Sequence, residues 1–209
     1  MMYLEPVLSK KLQEVKDQFY GEMPYRKIIS ILNKHFKQDD FIFHLSPRVG
    51  FGLNDFAVAG YYDQEFDLCH IKILVSKHYQ YLPFESSQWT NFHFAVLQVC
   101  CHEAIHQTQW QFREYDSQAH YNQKLSFSAP KYKEKIYLAD PDEIEAYAHD
   151  IAMEIKFYYP KKDPVDILKH INRFKKIWSF FYYKHTFDDD HWITIKSKLL
   201  RKTYKWLGT

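Results

Sequence analysis

Leu8, Leu12, Val15 and Phe19 recur at three- and four-residue intervals, which predicts an amphipathic helix over residues 5–20. Pro24 opens a second helix whose apolar face carries Ile28, Leu32 and Phe36. Residues 41–62 change character, with aromatics set among Pro47, Gly50, Gly52 and Gly60, and predict short strands and turns. Phe66 to Ser76 is β-branched or apolar with partial alternation, the clearest strand in the chain. A long helix is expected from Ser87 or Thr90, both plausible N-caps, to about Arg113. On it Phe92, Ala95, Val99, His102, His106 and Gln109 share one side.

Residues 115–139 carry many aromatics without clear periodicity and predict an irregular connection. Asp140-Pro141-Asp142-Glu143 then supplies an N-cap, a first-turn proline and acidic residues at the positive end of a helix reaching about Tyr159. Asp163-Pro164 repeats the start signal for 165–184, and Asp189 or Asp190 caps a last helix ending near Trp206. Helices, a small sheet, then helices again make an α+β chain.

Apolar residues are 46% of the 209 and aromatics 19%, enough for a packed core and too many for disorder. The longest stretch lacking Lys, Arg, Asp and Glu, Ser86 to His102, is interrupted by Gln88, Asn91, His93 and Gln98. It predicts a buried helix rather than a membrane span, and no membrane partner is expected. Met1 to Pro6 lacks the basic start and apolar middle of a signal peptide. Cys69, Cys100 and Cys101 are odd in number, with two adjacent, which suits small core residues in a reducing cytoplasm better than a disulfide framework. Charge is unevenly spread: residues from Lys156 onward carry 13 Lys and Arg against 5 Asp. The expected organisation is therefore a body over 1–160 with a basic helical extension over 161–209 packed on the same domain.

The chemistry concentrates in His102-Glu103-Ala104-Ile105-His106. Two His four apart on a helix project from one face, one turn apart, and can bind a single tetrahedral zinc. Glu103, beside the first, is placed to take a proton from an activated water and return it to a leaving group. A catalytic site needs a third protein ligand. The metzincin pattern would place a His at 112, where the chain has Phe. The remaining arrangement draws a Glu from a second helix, and Asp140 to Ala148 offers Glu143 and Glu145, about 200° apart around the helix. Glu143 could equally close a capping box on Asp140.

The pairing of His-Glu-Ala-Ile-His with Asp-Pro-Asp-Glu-Ile-Glu-Ala-Tyr-Ala resembles gluzincin-type zinc metallopeptidases, closest to small phage and bacterial members with an E-x-E-A element. The resemblance covers Trp89 to Ala148. It implies a zincin-like fold, with a small, mostly antiparallel sheet packed on a long HExxH helix and further helices at both termini. It implies one Zn²⁺ per chain held by His102, His106 and Glu143, with Glu103 as general base and acid in peptide hydrolysis in the cytoplasm, a host cytoplasm if phage-encoded. Tyr147 stands where the family pattern has Asp or Asn. In zincins the strand before the motif helix is a substrate-binding edge. Here 71–75 takes that place, and an interior strand reads equally well from its pattern.

An oxyanion donor would come from Tyr132, Tyr137, Tyr147, His120 or His149, among which the sequence does not choose. The substrate expected is a protein or peptide, although activated water serves a non-peptide amide as well. The alternative is a non-enzymatic binding module with a degenerate or structural metal site. In that reading the basic, aromatic C-terminal helices contact nucleic acid or an acidic protein.

Overall fold

A computed structural model of the chain describes residues 4–113 and 130–208. The fold is α+β, with eight helices and two small sheets among the described residues. It divides into two compact units, Met1–Gln111 and Phe112–Thr209. That division follows contacts within the fold, whereas the boundary at 160 follows the charge of the sequence.

In the first unit α1 (Leu4–Glu14) buries Leu8 and Leu12 and stops short of the expected residue 20. A 3-10 turn, Lys16–Gln18, and Gly21 at φ +61° reverse the chain into β1 (Gly21–Pro24). Nothing lies within 4 Å of a Cβ built on Gly21, so its left-handed backbone is what favours glycine there. Strand β1 pairs antiparallel with β5 (Tyr81–Phe84), a small sheet the sequence pattern did not announce. Helix α2 (Tyr25–His35) follows Pro24 and buries Ile28 and Leu32, with Phe36 behind them.

The main sheet has the order β2 (Phe41–Arg48), β4 (Leu68–Ser76), β3 (Phe56–Asp63). The strand expected over 66–76 is thus its centre, parallel to β2 and antiparallel to β3. Cys69, Ile71, Ile73 and Val75 of β4 are buried with Phe41 and Phe43 of β2. On the outer edge of β2, Asn33 of α2 receives the Phe43 N–H at 2.8 Å and donates to the Phe43 carbonyl at 2.9 Å. A side-chain amide thereby takes the place of a neighbouring strand.

Helix α3 (Ser86–Phe112) has buried residues around its whole circumference, including Trp89, Phe92, Val96, Leu97 and Cys100. It starts ahead of both expected caps: the Thr90 hydroxyl donates back to the Ser86 carbonyl at 3.0 Å, so Thr90 lies inside the helix. Phe92 packs on Phe56 of β3 at 5.5 Å and on Phe84 of β5 at 5.2 Å. Toward its C-terminal end, Gln107 and Gln111 both donate to Asp67 in the β3–β4 turn. Asp67, at φ +54°, also accepts from the Tyr62 hydroxyl at 2.7 Å. The turn is therefore tied to the helix.

Among its described residues the second unit contains helices and no strand. Helix α4 (Pro130–Ala139) occupies part of the stretch expected to be irregular. Helix α5 (Pro141–Tyr158) begins as expected, the Asp140 carboxylate accepting from the Asp142 N–H at 2.8 Å with proline in the first turn. The single helix expected over 165–184 is broken: α6 (Pro164–Lys169) ends in a 3-10 turn, Ile171–Arg173, and α7 (Trp178–Thr186) starts anew. Helix α8 (Asp189–Trp206) is capped by Asp188, one residue before the expected caps. Ile144, Ala148, Ile151 and Ile155 of α5 share one core with Phe180, Tyr183, Ile195 and Leu199. The aromatics of the basic C-terminal segment go largely into this core, while Trp178 stays 64% exposed.

Buried Glu154 of α5 accepts from the Ser179 N–H at 3.1 Å and the Ser179 hydroxyl at 2.9 Å, serving the first turn of α7. Glu154→Ala leaves those donors without their carboxylate and should destabilise the fold by about 2 kcal/mol, with Glu154→Gln costing less. Denaturant unfolding measures both, and equal losses would remove the charge from the account.

The other face of the main sheet is half-exposed and carries His44, His70, Lys72 and Tyr61. His44 Nε2 and His70 Nδ1 share a hydrogen bond at 2.8 Å, and Tyr61 stacks on His70 at 4.7 Å. Burial first, then His70 and Lys72, hold His44 below the usual imidazole value. The fold prefers the neutral ring, so its contribution is complete above about pH 6.5 and is lost as pH falls through the lowered value. The melting temperature should drop between about pH 7 and about pH 5, and His44→Gln should reduce that drop. An undiminished drop would show that other groups cause it.

Candidate metal centre

The i, i+4 geometry of α3 brings the His102 and His106 rings to 4.9 Å between centroids, edge to face at 72°. His102 is 8% exposed and Glu103 5%, within a helix whose other buried side chains are apolar. His106 is half-buried. Its Nδ1 lies 3.0 Å from Gln109 Oε1. An amide oxygen only accepts, so Nδ1 carries the proton and Nε2 the lone pair that a metal needs.

Glu143, in the first turn of α5, is 8% exposed. His102 and His106 offer ring nitrogens from one face of α3, and Glu143 offers a carboxylate from the first turn of α5. Two imidazoles and one carboxylate are the donor set of open, catalytic zinc sites, so the residues fit the ion.

The other carboxylate of the motif has different company. Glu145 pairs with Lys202 of α8, and its place on the opposite flank of the Ile144–Ala148–Ile151–Ile155 stripe explains why. The Asp140 N–H, which a capping box would offer to Glu143, goes to the Tyr137 carbonyl at 3.1 Å. Asp142 pairs with Arg113. Burial, with Glu143 as the next cause, raises the Tyr183 hydroxyl far above its ordinary value. Tyr182, which donates to Glu134 at 2.7 Å, is pushed up to about 12, chiefly by burial and that bond. Both phenols stay protonated at neutral pH.

Glu103 lies against β3, opposite Gly60. Its charge is felt by Cys69 and Cys100, whose thiols burial already raises well above the ordinary range. All three cysteines are buried as free thiols, the state of small core residues.

Among the residues considered for an oxyanion, Tyr147 packs on Tyr183 at 5.1 Å and on Tyr182 at 5.9 Å. His149 meets Trp206 edge-on at 4.7 Å, and Tyr137 is 48% exposed. His120 and the side chain of Tyr132 lie outside the described residues. Gln109, Gly60 and Asp67 contribute to the site's geometry without being singled out by the motif. Gly60 had a legible signal, since an isolated glycine in a strand marks a close approach. Gln109 was visible only as a residue on the histidine side of the helix.

The chain was compared with models of protein families, with curated proteins and with solved structures, and none of the three comparisons gave a match. What can be said of the site therefore rests on its own geometry.

Replacing Gln109 by Leu removes the acceptor that fixes the His106 tautomer. Divalent-metal affinity, measured by competition with a chromogenic chelator, should weaken roughly tenfold or more. Unchanged affinity would show that another contact orients the ring.

Proposed function

We propose that this chain is a zinc-dependent hydrolase of zincin type, acting on peptide bonds. The observation that carries the reading is the pairing of His102 and His106 on one face of α3 with Glu103 next to the first, and in this reading Glu143 of α5 completes an open-site zinc donor set. His102 and His106 supply nitrogen lone pairs, and Gln109 keeps the second in the right tautomer. Zinc, when bound, supplies Lewis acidity, which acidifies water and polarises a carbonyl. A Glu103 carboxylate oxygen takes the proton of the attacking water and then delivers it to the departing amine nitrogen.

The sheet supports a peptide as substrate. Its centre, β4, has strands on both sides, and Asn33 covers the outer edge of β2 at Phe43. Strand β3 has β4 on one side and no described strand on the other, and its Gly60 abuts Glu103. An extended peptide pairing with that edge would present successive carbonyls beside Glu103 with little demand on side-chain identity. The substrate edge in this proposal is β3 rather than the strand at 71–75.

The purified protein should hold about one zinc per chain by elemental analysis, and chelation should abolish cleavage of an unstructured protein followed by mass spectrometry. Glu103→Gln should retain zinc and lose on the order of a hundredfold or more in kcat, whereas His102→Ala and His106→Ala should lose the metal. Protein without stoichiometric zinc after zinc loading, or undiminished cleavage by Glu103→Gln, would end the proposal.

A further inference from the structure

We propose that Gly60 is a positioning residue: the side chain it lacks leaves the notch in which the Glu103 carboxylate is seated. The inference rests on the hydrolase reading for its catalytic meaning, but the geometry is independent of it. Gly60 sits in the middle of β3, paired with Ile71 of β4. The left-handed glycines among the described residues are Gly21, Gly50 and Gly208, so no positive φ calls for glycine at position 60. In a regular strand glycine is a poor choice, because it packs nothing and loses the most backbone freedom on folding. The space beside its Cα is what excludes larger residues.

A Cβ built on Gly60 would lie 2.7 Å from both Cγ and Oε1 of Glu103 and 2.8 Å from Cγ1 of Val99. Real Cβ atoms do not approach so closely, so something must move. Strand β3 is poorly able to retreat. It is paired with β4 from Phe56↔Val75 to Asp63↔Leu68. Its far end is tied to α3 through Tyr62, Asp67, Gln107 and Gln111. Val99 and Glu103 are one turn apart on the same helix and flank the notch together. Glu103 has more side-chain torsions than Val99, so an added methyl displaces its carboxylate. A misplacement of about 1 Å in a group that must meet a water and a leaving nitrogen costs up to a hundredfold in rate. The three atoms nearest the added methyl belong to Glu103 and Val99 and not to His102 or His106.

The test is Gly60→Ala in the full chain, alone and combined with Glu103→Gln. In the zinc-loaded protein kcat should fall roughly 10- to 100-fold, with KM and zinc stoichiometry within about twofold of the parent. Against the Glu103→Gln background, the same methyl should change the residual rate by less than about twofold, because its effect passes through the carboxylate already removed. Crystal structures of the parent and Gly60→Ala should show the Glu103 carboxylate displaced, a readout that needs no turnover. An inactive parent with a displaced carboxylate in the variant would sink the hydrolase reading and leave the seat standing. An unmoved carboxylate, an unchanged kcat, or an equal loss in both backgrounds would overturn the inference. Should Gly60→Ala fail to fold, Gly60→Ala/Val99→Ala removes one of the two clashes and carries the same measurements. Failure of both to fold would show that Gly60 serves packing alone.

Discussion

Placing ionisable groups on a helix buried around its circumference is the constraint from which the rest of the first unit follows. Helix α3 carries Trp89, Phe92, Val96 and Leu97 into apolar surroundings, and the same burial continues through His102 and Glu103. A carboxylate taken out of water is costly unless its surroundings compensate it, so every neighbour of this segment has to suit it. The sheet does so in two places. Gly60 leaves room for the Glu103 side chain, and Asp67 gathers Tyr62, Gln107 and Gln111 so that strand and helix stay in register. The i, i+4 spacing then needs nothing more than a regular helix to aim two imidazoles the same way.

In the second unit a comparable sorting happens on α5. Asp140, Pro141 and the Asp142–Arg113 pair define where the helix begins, and hence which way its first turn faces. Glu143 and Glu145 are two residues apart in sequence and lie on different flanks of one apolar stripe. Lys202 of α8 neutralises Glu145, while Glu143 is buried beside the phenols of Tyr182 and Tyr183, whose protonated state it reinforces. Farther along the helix, Glu154 spends its charge on the first turn of α7. Three carboxylates on one helix thus have three different surroundings.

Much of the element order was legible because local rules dominate it. The Asp-Pro starts at 140 and 163, the alternation in β4 and the periodicity of α2 each encode their own geometry. Misreadings fell where distant partners decide. Residues 165–184 carry a helical pattern, yet the chain breaks after Lys169 and restarts at Trp178, where Glu154 from another helix supplies the cap. Strand β5 is four residues long and depends on β1 for its pairing. The aromatics of the basic segment looked available for stacking, but Phe180, Tyr183 and Leu199 form one core with α5.

The sequence by itself determined the two-histidine motif, the carboxylate beside it and the helix that presents them, since spacing along one helix translates directly into direction. Tertiary structure alone decided that β4 is the sheet's centre, that Lys202 claims Glu145, and that a glycine faces Glu103. These depend on which segments meet across long chain separations, and a residue's own neighbours in sequence carry no record of that.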